Sequence, residues 1–247
     1  MGETTGISWT DSWSLVSVLV MMELQRRRGN RDDARALPGV VRGGEAVTIS
    51  YKLLNKDRTS HGGCKWEPGE WKETSGNGEL CGPGWLHFYS HPLLAAMLNP
   101  IHANRSKPVL WEAETEGARN DDCGLKHGVT RARIVREIPL PTVTTAQRVR
   151  FGILCSLEAP QGDAYKEWAA RWLSGEDRSY TAASSVARSS ATYAAAYAAA
   201  AAAAAAYDRS SAAYAAAACA GHSAAAYVLD LVALAERAIA EEIEVKP

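Results

Sequence analysis

Close cysteine pairs are missing from this chain. Cys64, Cys81, Cys123, Cys155 and Cys219 are odd in number and widely spread, with no Cys-x-x-Cys among them. That spacing excludes a disulfide framework and predicts reduced thiols in a cytosolic protein. An excess of one charge is missing too. The 27 basic and 28 acidic side chains leave a formal net charge of -1, which removes a sequence-independent grip on nucleic acid or on an anionic membrane. The apolar run at 15–22 is shorter than the about 20 residues that span a bilayer. Glu3 and Asp11 precede it and Arg26, Arg27 and Arg28 follow, the reverse of the charge order in an export signal, so neither a membrane span nor an export signal is expected. A Walker loop, G-x-G-x-x-G, G-x-S-x-G and H-E-x-x-H are all absent, and the activities those motifs carry do not apply.

Phenylalanine is scarce, two residues against eight Trp and nine Tyr, while alanine crowds the last third of the 247 residues. The composition therefore reads as two joined compositions. We divide the chain into a leader at 1–45, loosely ordered or carrying a short helix over 13–27, a domain over 46–178, and an alanine-rich helical region over 179–247.

From Val47 onward the signals are those of β-structure. Segments 47–54, 85–89, 109–115 and 132–138 are rich in β-branched and aromatic residues or follow turn sequences such as Cys81-Gly82-Pro83-Gly84. Between the second and third, 91–98 predicts a short helix capped by Ser90, with Pro92 in its first turn. Thr144 or Thr145 caps a helix to about 157, and Asp163 opens another in which Tyr165, Trp168, Trp172 and Leu173 recur at helical spacing as core residues. Strands with helices on a face give an α+β fold: a small mixed or antiparallel sheet with flanking helices, then the helical tail.

Alanine is the strongest helix former because it loses no side-chain entropy, so the segment 180–227 predicts ordered helix. On a helical wheel Tyr193, Tyr197, Tyr207 and Tyr214 fall within one arc, with Arg209 opposite. Such a stripe is expected to serve as a protein-contact or self-association surface. Gly221 is expected to end this element and Ser223 to cap the last helix; Asp208-Arg209-Ser210-Ser211 offers the alternative of a turn between two antiparallel helices.

Two clusters bear on chemistry. Cys64, Cys81, His87 and His91 offer zinc-ligand chemistry, but the two cysteines lie too far apart for a zinc finger, and no metal is assigned. Glu112, Glu114 and Glu116 alternate, which places three carboxylates on one strand face. They form either a solvated face or, in the sharper reading, a cleft in which one glutamate accepts from ribose hydroxyls.

Tyr51-Lys52-Leu53-Leu54, Gly69-Glu70-Trp71, Leu80-Cys81-Gly82-Pro83-Gly84-Trp85-Leu86-His87, Leu98-Asn99-Pro100-Ile101-His102-Ala103 and Trp172-Leu173-Ser174-Gly175 resemble an uncharacterised family of short phage and bacterial proteins with a variable alanine-rich tail. That resemblance implies a phage or prophage accessory protein acting by binding. A more distant resemblance, to the ADP-ribosyltransferase layout, rests on a strand with Tyr51, the glycine-led aromatic strand before an alanine-bearing helix, and a strand ending in Glu112-Ala113-Glu114. It implies NAD as cofactor, Tyr51, Lys52, Trp85, His87 and Tyr89 as ligand contacts, and Glu112, Glu114, His87 and Lys52 as catalytic candidates. Lys52 stands where those enzymes place an Arg or His. The binding reading needs no cofactor.

Overall fold

Five strands, β1 (Thr48–Leu54), β2 (Lys72–Glu73), β3 (Leu86–Phe88), β4 (Val109–Asp121) and β5 (His127–Ile138), form one antiparallel sheet in the order β1-β4-β5-β2, with β3 also paired to β5. The coordinates are a computed structural model, and they describe residues 47–207 and 211–240; the helix expected over 13–27 and the leader containing it lie outside the described residues. Beyond β3, Tyr51 and Tyr89 exchange both backbone hydrogen bonds, at 2.9 and 2.8 Å. The hydrogen-bonded circuit β1-β4-β5-β3 thus returns to β1. Strand alternation then sorts side chains into an inside and an outside. Leu54, Phe88, Trp111, Ala113, Val129, Ala132 and Ile134 pack within, joined by Trp66 from the loop after β1. Tyr51, Leu53, Tyr89 and Leu110 face outward onto helices.

The outer helices begin with α1 (Pro92–Leu98), whose N-cap is His91 rather than Ser90: the His91 Nδ1 accepts from the Leu93 N–H at 3.2 Å. Helix α2 (Thr145–Leu157) starts at a reciprocal capping box, Thr144 with Gln147, which satisfies two otherwise orphaned donors. Helix α3 (Asp163–Ser174) ends at Gly175 in the left-handed conformation, φ 82°, as the Ser-Gly stop predicts. The tail is not one rod. It comprises α4 (Tyr180–Ser189), α5 (Tyr193–Ala205), α6 (Ser211–Ala226) and α7 (Leu231–Ala240). Ser179 and Thr192 cap α4 and α5 through their side-chain oxygens. The antiparallel alternative is the one realised, since the later half of α6 meets the start of α5: Cys219 donates to the Ala194 carbonyl at 3.1 Å and His222 stacks on Tyr193. Gly221 does not terminate α6. It sits inside the helix, facing the Ile101 side chain, and the cap of α7 is Asp230, which accepts from the Ala233 N–H at 3.0 Å.

The described residues make one compact unit, and α2 explains why. Phe151, Leu154 and Cys155 belong to the core shared with Leu53, Leu94 and Leu110, to which the tail adds Ala217, Ala220, Leu231 and Leu234. Val149 and Ile153 belong to a second core, with Trp168, Trp172 and the alanines of α5 and α6. The boundary drawn at 178 therefore cuts through both cores.

Candidate functional site

The inside of the sheet holds the polar groups that invite a chemical reading. Lys52 alternates with Ser50 and Leu54, all three pointing inward, and is 7% exposed. Its ammonium lies 4.6 Å from the Trp66 ring centroid and 4.5 Å from that of Phe88, and it donates to the His87 carbonyl at 2.8 Å. Among the described residues no carboxylate pairs with it. Burial is the main force on its proton, pulling the pKa from 10.5 down to about 7; the Cys64 thiol pulls it up and the Arg105 guanidinium pulls it further down.

Next to it runs a chain of hydroxyls and an imidazole. The Ser50 Oγ meets the Thr115 Oγ1 at 3.2 Å and the His127 Nε2 at 3.1 Å, and Thr115 donates to the Thr48 carbonyl. The His127 ring stacks on Phe88 with centroids 6.3 Å apart. Burial depresses the His127 pKa to about 4; Arg119 and Lys52 lower it further while Asp121 opposes them. The interior is thus rich in donors and bases and poor in acids, a perturbed environment of the kind found at functional sites.

The other residues expected at a site are dispersed. Tyr51, adjacent to Lys52, points to the opposite side of the strand, and Tyr89 is buried in the outer core, where burial raises its phenol well above the usual range. Trp85 packs outside, donating from Nε1 to the Gly78 carbonyl at 3.1 Å. Gly128 opposite it is required, since a Cβ there would stand 2.9 Å from the Trp85 Cβ. The His87 ring meets the Leu80 carbonyl, and burial lowers its pKa.

Glu112 and Glu114 also lie outside. Glu112 takes a two-point contact from Arg136, 3.1 and 2.8 Å, Glu114 pairs with Arg133 at 2.6 Å, and Glu116 and Glu73 flank Arg131. Trp71 lies under two of these guanidinium groups, 4.1 Å from Arg131 and 4.7 Å from Arg133. This is the solvated strand face, built as a cross-strand charge ladder. Lys52 and the two glutamates project from opposite faces of the sheet, so these expected site residues are not brought together.

His91 is occupied in its cap, and the Cys81 Sγ accepts from the Lys126 ammonium at 3.3 Å. Among the described residues no three His, Cys, Asp or Glu side chains gather as metal ligands.

The tyrosine stripe is divided. Tyr193 and Tyr197 stack on His222 of α6, with centroids 5.7 and 5.1 Å apart. Burial, together with Tyr214 and Tyr193 nearby, pushes the Tyr197 phenol up to about 12. Tyr207 sits apart from this group, edge-on to Tyr180 at 4.8 Å.

Ser50, Trp66 and His127 are interior residues that the sequence reading missed. One signal was present: once Tyr51 and Leu53 are placed outward, alternation puts Ser50 and Lys52 on the same buried face as Leu54.

A family model described as a domain of unknown function, DUF7666, matches residues 48–146. The matched segment begins at β1 and ends in the first turn of α2, so it contains Lys52 and its surroundings and leaves α3 to α7 outside. No curated protein and no solved structure matches the chain.

Proposed function

We propose that the protein is a cytosolic accessory protein of phage or prophage type that acts by binding, with the α5–α6 face as its contact surface. The observation that carries this reading is the absence of charge. The two helices contain no Asp, Glu, Lys or Arg, yet Tyr193 is 60% exposed and Tyr197, Tyr214 and His222 are half-buried beside it. A solvated helix pair normally carries charge on its outer face. Tyrosine without charge is instead the composition of an interface core, where a large ring contributes contact area and its hydroxyl tolerates water at the rim. Five cysteines with no disulfide among them support the cytosolic placement, and among the described residues no helix is long and apolar enough to cross a membrane.

Self-association is the partner class that the neutral face fits best, because each copy offers the other the same uncharged surface. Light scattering of the full chain should give a multiple of 26.5 kDa, and the Tyr193→Ala, Tyr197→Ala, Tyr214→Ala variant should give a lower multiple. A monomer for the unmodified chain overturns self-association, and equal masses for both remove the tyrosine face from it.

A further inference from the structure

A buried amine without a counter-ion sits among groups that ask for an acceptor. Trp111 is the direct cross-strand partner of Lys52 and shares its inward face. Trp111 is 7% exposed, and its indole Nε1–H is buried with no acceptor. On the side of the loop after α1, the Arg105 Nε–H is likewise buried without an acceptor, and Arg105 acts electrostatically on Lys52. Lys72 contributes another positive charge, 5.8 Å from the far ring of the cage, Trp66. Orphaned buried donors are rare because each forfeits its hydration without compensation. One of them stands on the strand face beside Lys52, and the other belongs to the arginine whose charge acts on it, so this part of the interior has donors and positive charge to spare for an anionic acceptor.

We propose that Lys52 is a carbamylation site: its amine captures carbon dioxide inside the sheet, and the resulting carbamate supplies the negative charge and the acceptor oxygens that its surroundings lack. The Lys52 nitrogen attacks the carbon of CO2, a C–N bond forms as one C–O π bond opens onto oxygen, and one amine proton leaves to solvent. The product is an N-carboxylate carrying one N–H, and that N–H keeps the hydrogen bond to the His87 carbonyl. No oxidant, metal or other reactant is needed. Carbon dioxide suits the site because it is small, uncharged and apolar, and so it can reach an enclosed amine that a larger electrophile cannot. The amine is suited in turn, since desolvation keeps a large share of it unprotonated near neutral pH, the state in which lysine is a nucleophile. The Cys64 thiol, Arg105, His87 and His127 are the titratable groups that act on it or on which it acts, and the faces against it are Trp66 and Phe88. The carboxylate of Glu70 is 4.0 Å from the Lys72 ammonium and is paired with it, and in the proposed product the carboxylate extends away from the two ring faces toward Trp111 and Arg105.

The test uses the full chain equilibrated with 13C-labelled bicarbonate and carbon dioxide. A 13C NMR carbamate resonance distinct from free bicarbonate is expected, lost in Lys52→Met and growing as pH rises through about 7. A resonance that persists in Lys52→Met belongs to another amine and overturns the assignment. Should that variant fail to fold, the unmodified protein decides by itself. Alkylating the carbamate with triethyloxonium and mapping the peptides must place the ester on Lys52, and an ester found only on other amines, or none at all, defeats the proposal.

Discussion

Gly152 of α2 lies so close to Ala216 of α6 that a β-carbon at 152 would stand 3.2 Å from both the Ala216 Cα and its carbonyl oxygen. The contact is backbone against backbone, and it is tied from the other side by the Cys219 thiol, which reaches the Gly152 carbonyl at 3.0 Å. A branched side chain has no flexible neighbour to displace there. Gly152→Val is expected to lower the unfolding free energy by about 2–3 kcal/mol through overpacking, read as a shift in urea midpoint at unchanged slope. A midpoint equal to the unmodified protein's would mean that α6 does not rest on α2 in this way.

Cutting the chain after 178 removes the alanines and leucines that complete both cores. A fragment of residues 47–178 should show no cooperative thermal transition and should bind a hydrophobic dye, because Leu94, Phe151, Val149 and Trp168 lose their cover. A sharp two-state transition in that fragment would show instead that the sheet and first helices are self-sufficient.

The two interior bases make stability depend on pH with one sign. In the unfolded chain Lys52 binds its proton up to about pH 10.5, in the folded protein only up to about 7. Between those values the unfolded state holds more protons, so stability rises with pH across that window and carries a constant penalty below it. His127 behaves alike between about 6.5 and 4, where acid progressively favours the unfolded chain. In buffers purged of carbon dioxide, the difference between unmodified and Lys52→Met stability should change steeply from pH 7 to 10. A difference that stays flat over this range would place the Lys52 amine in water.

Thiol counting separates surface from core. Cys64, Cys81 and Cys123 are exposed and Cys155 and Cys219 buried, and none of the five is joined in a disulfide. Burial raises the Cys155 thiol well above its ordinary value and pushes Cys219 up to about 12. A native titration with a thiol reagent should find three reactive groups, and five after denaturation. Fewer than five in the denatured, unreduced protein would reveal a bridge.

What the sequence made legible was whatever is encoded by near neighbours. A threonine cap at Thr144 or Thr145, Ser174-Gly175 and the aromatic spacing of α3 are local signals, and each element stands where they put it. The long hairpin was only half visible. Its outer part, 116–121 with 127–131, carries Gly117, Arg119, Asn120, Asp121 and Gly128, residues with weak strand preference. They are held as strand by pairing with each other, as in Arg119 with Val129 and Asn120 with Gly128. Lys52 was singled out, but its environment was not foreseeable, because Trp66, Phe88 and His127 come to it from a loop and two other strands. Gly221 misled for the opposite reason: a residue that ends helices in solvent is tolerated inside α6, where the chain packs tightly.

The alanine lattice of α5 and α6 sets terms for how the tail can vary. Ala194, Ala195, Ala198, Ala199, Ala201 and Ala202 are all buried on α5 and belong to the core that also holds Val149, Trp168 and the alanines of α6. Adding a single residue within α5 would rotate everything after it by about 100°, exchanging buried methyl groups for outward ones and carrying the later half of the helix off its seat. A run of one letter is usually free to grow or shrink, since no register distinguishes its members. Here the register is fixed from outside by Thr192, Gly152 and Cys219, so a tail that looks interchangeable residue by residue behaves as a ruler whose length can change only by whole turns.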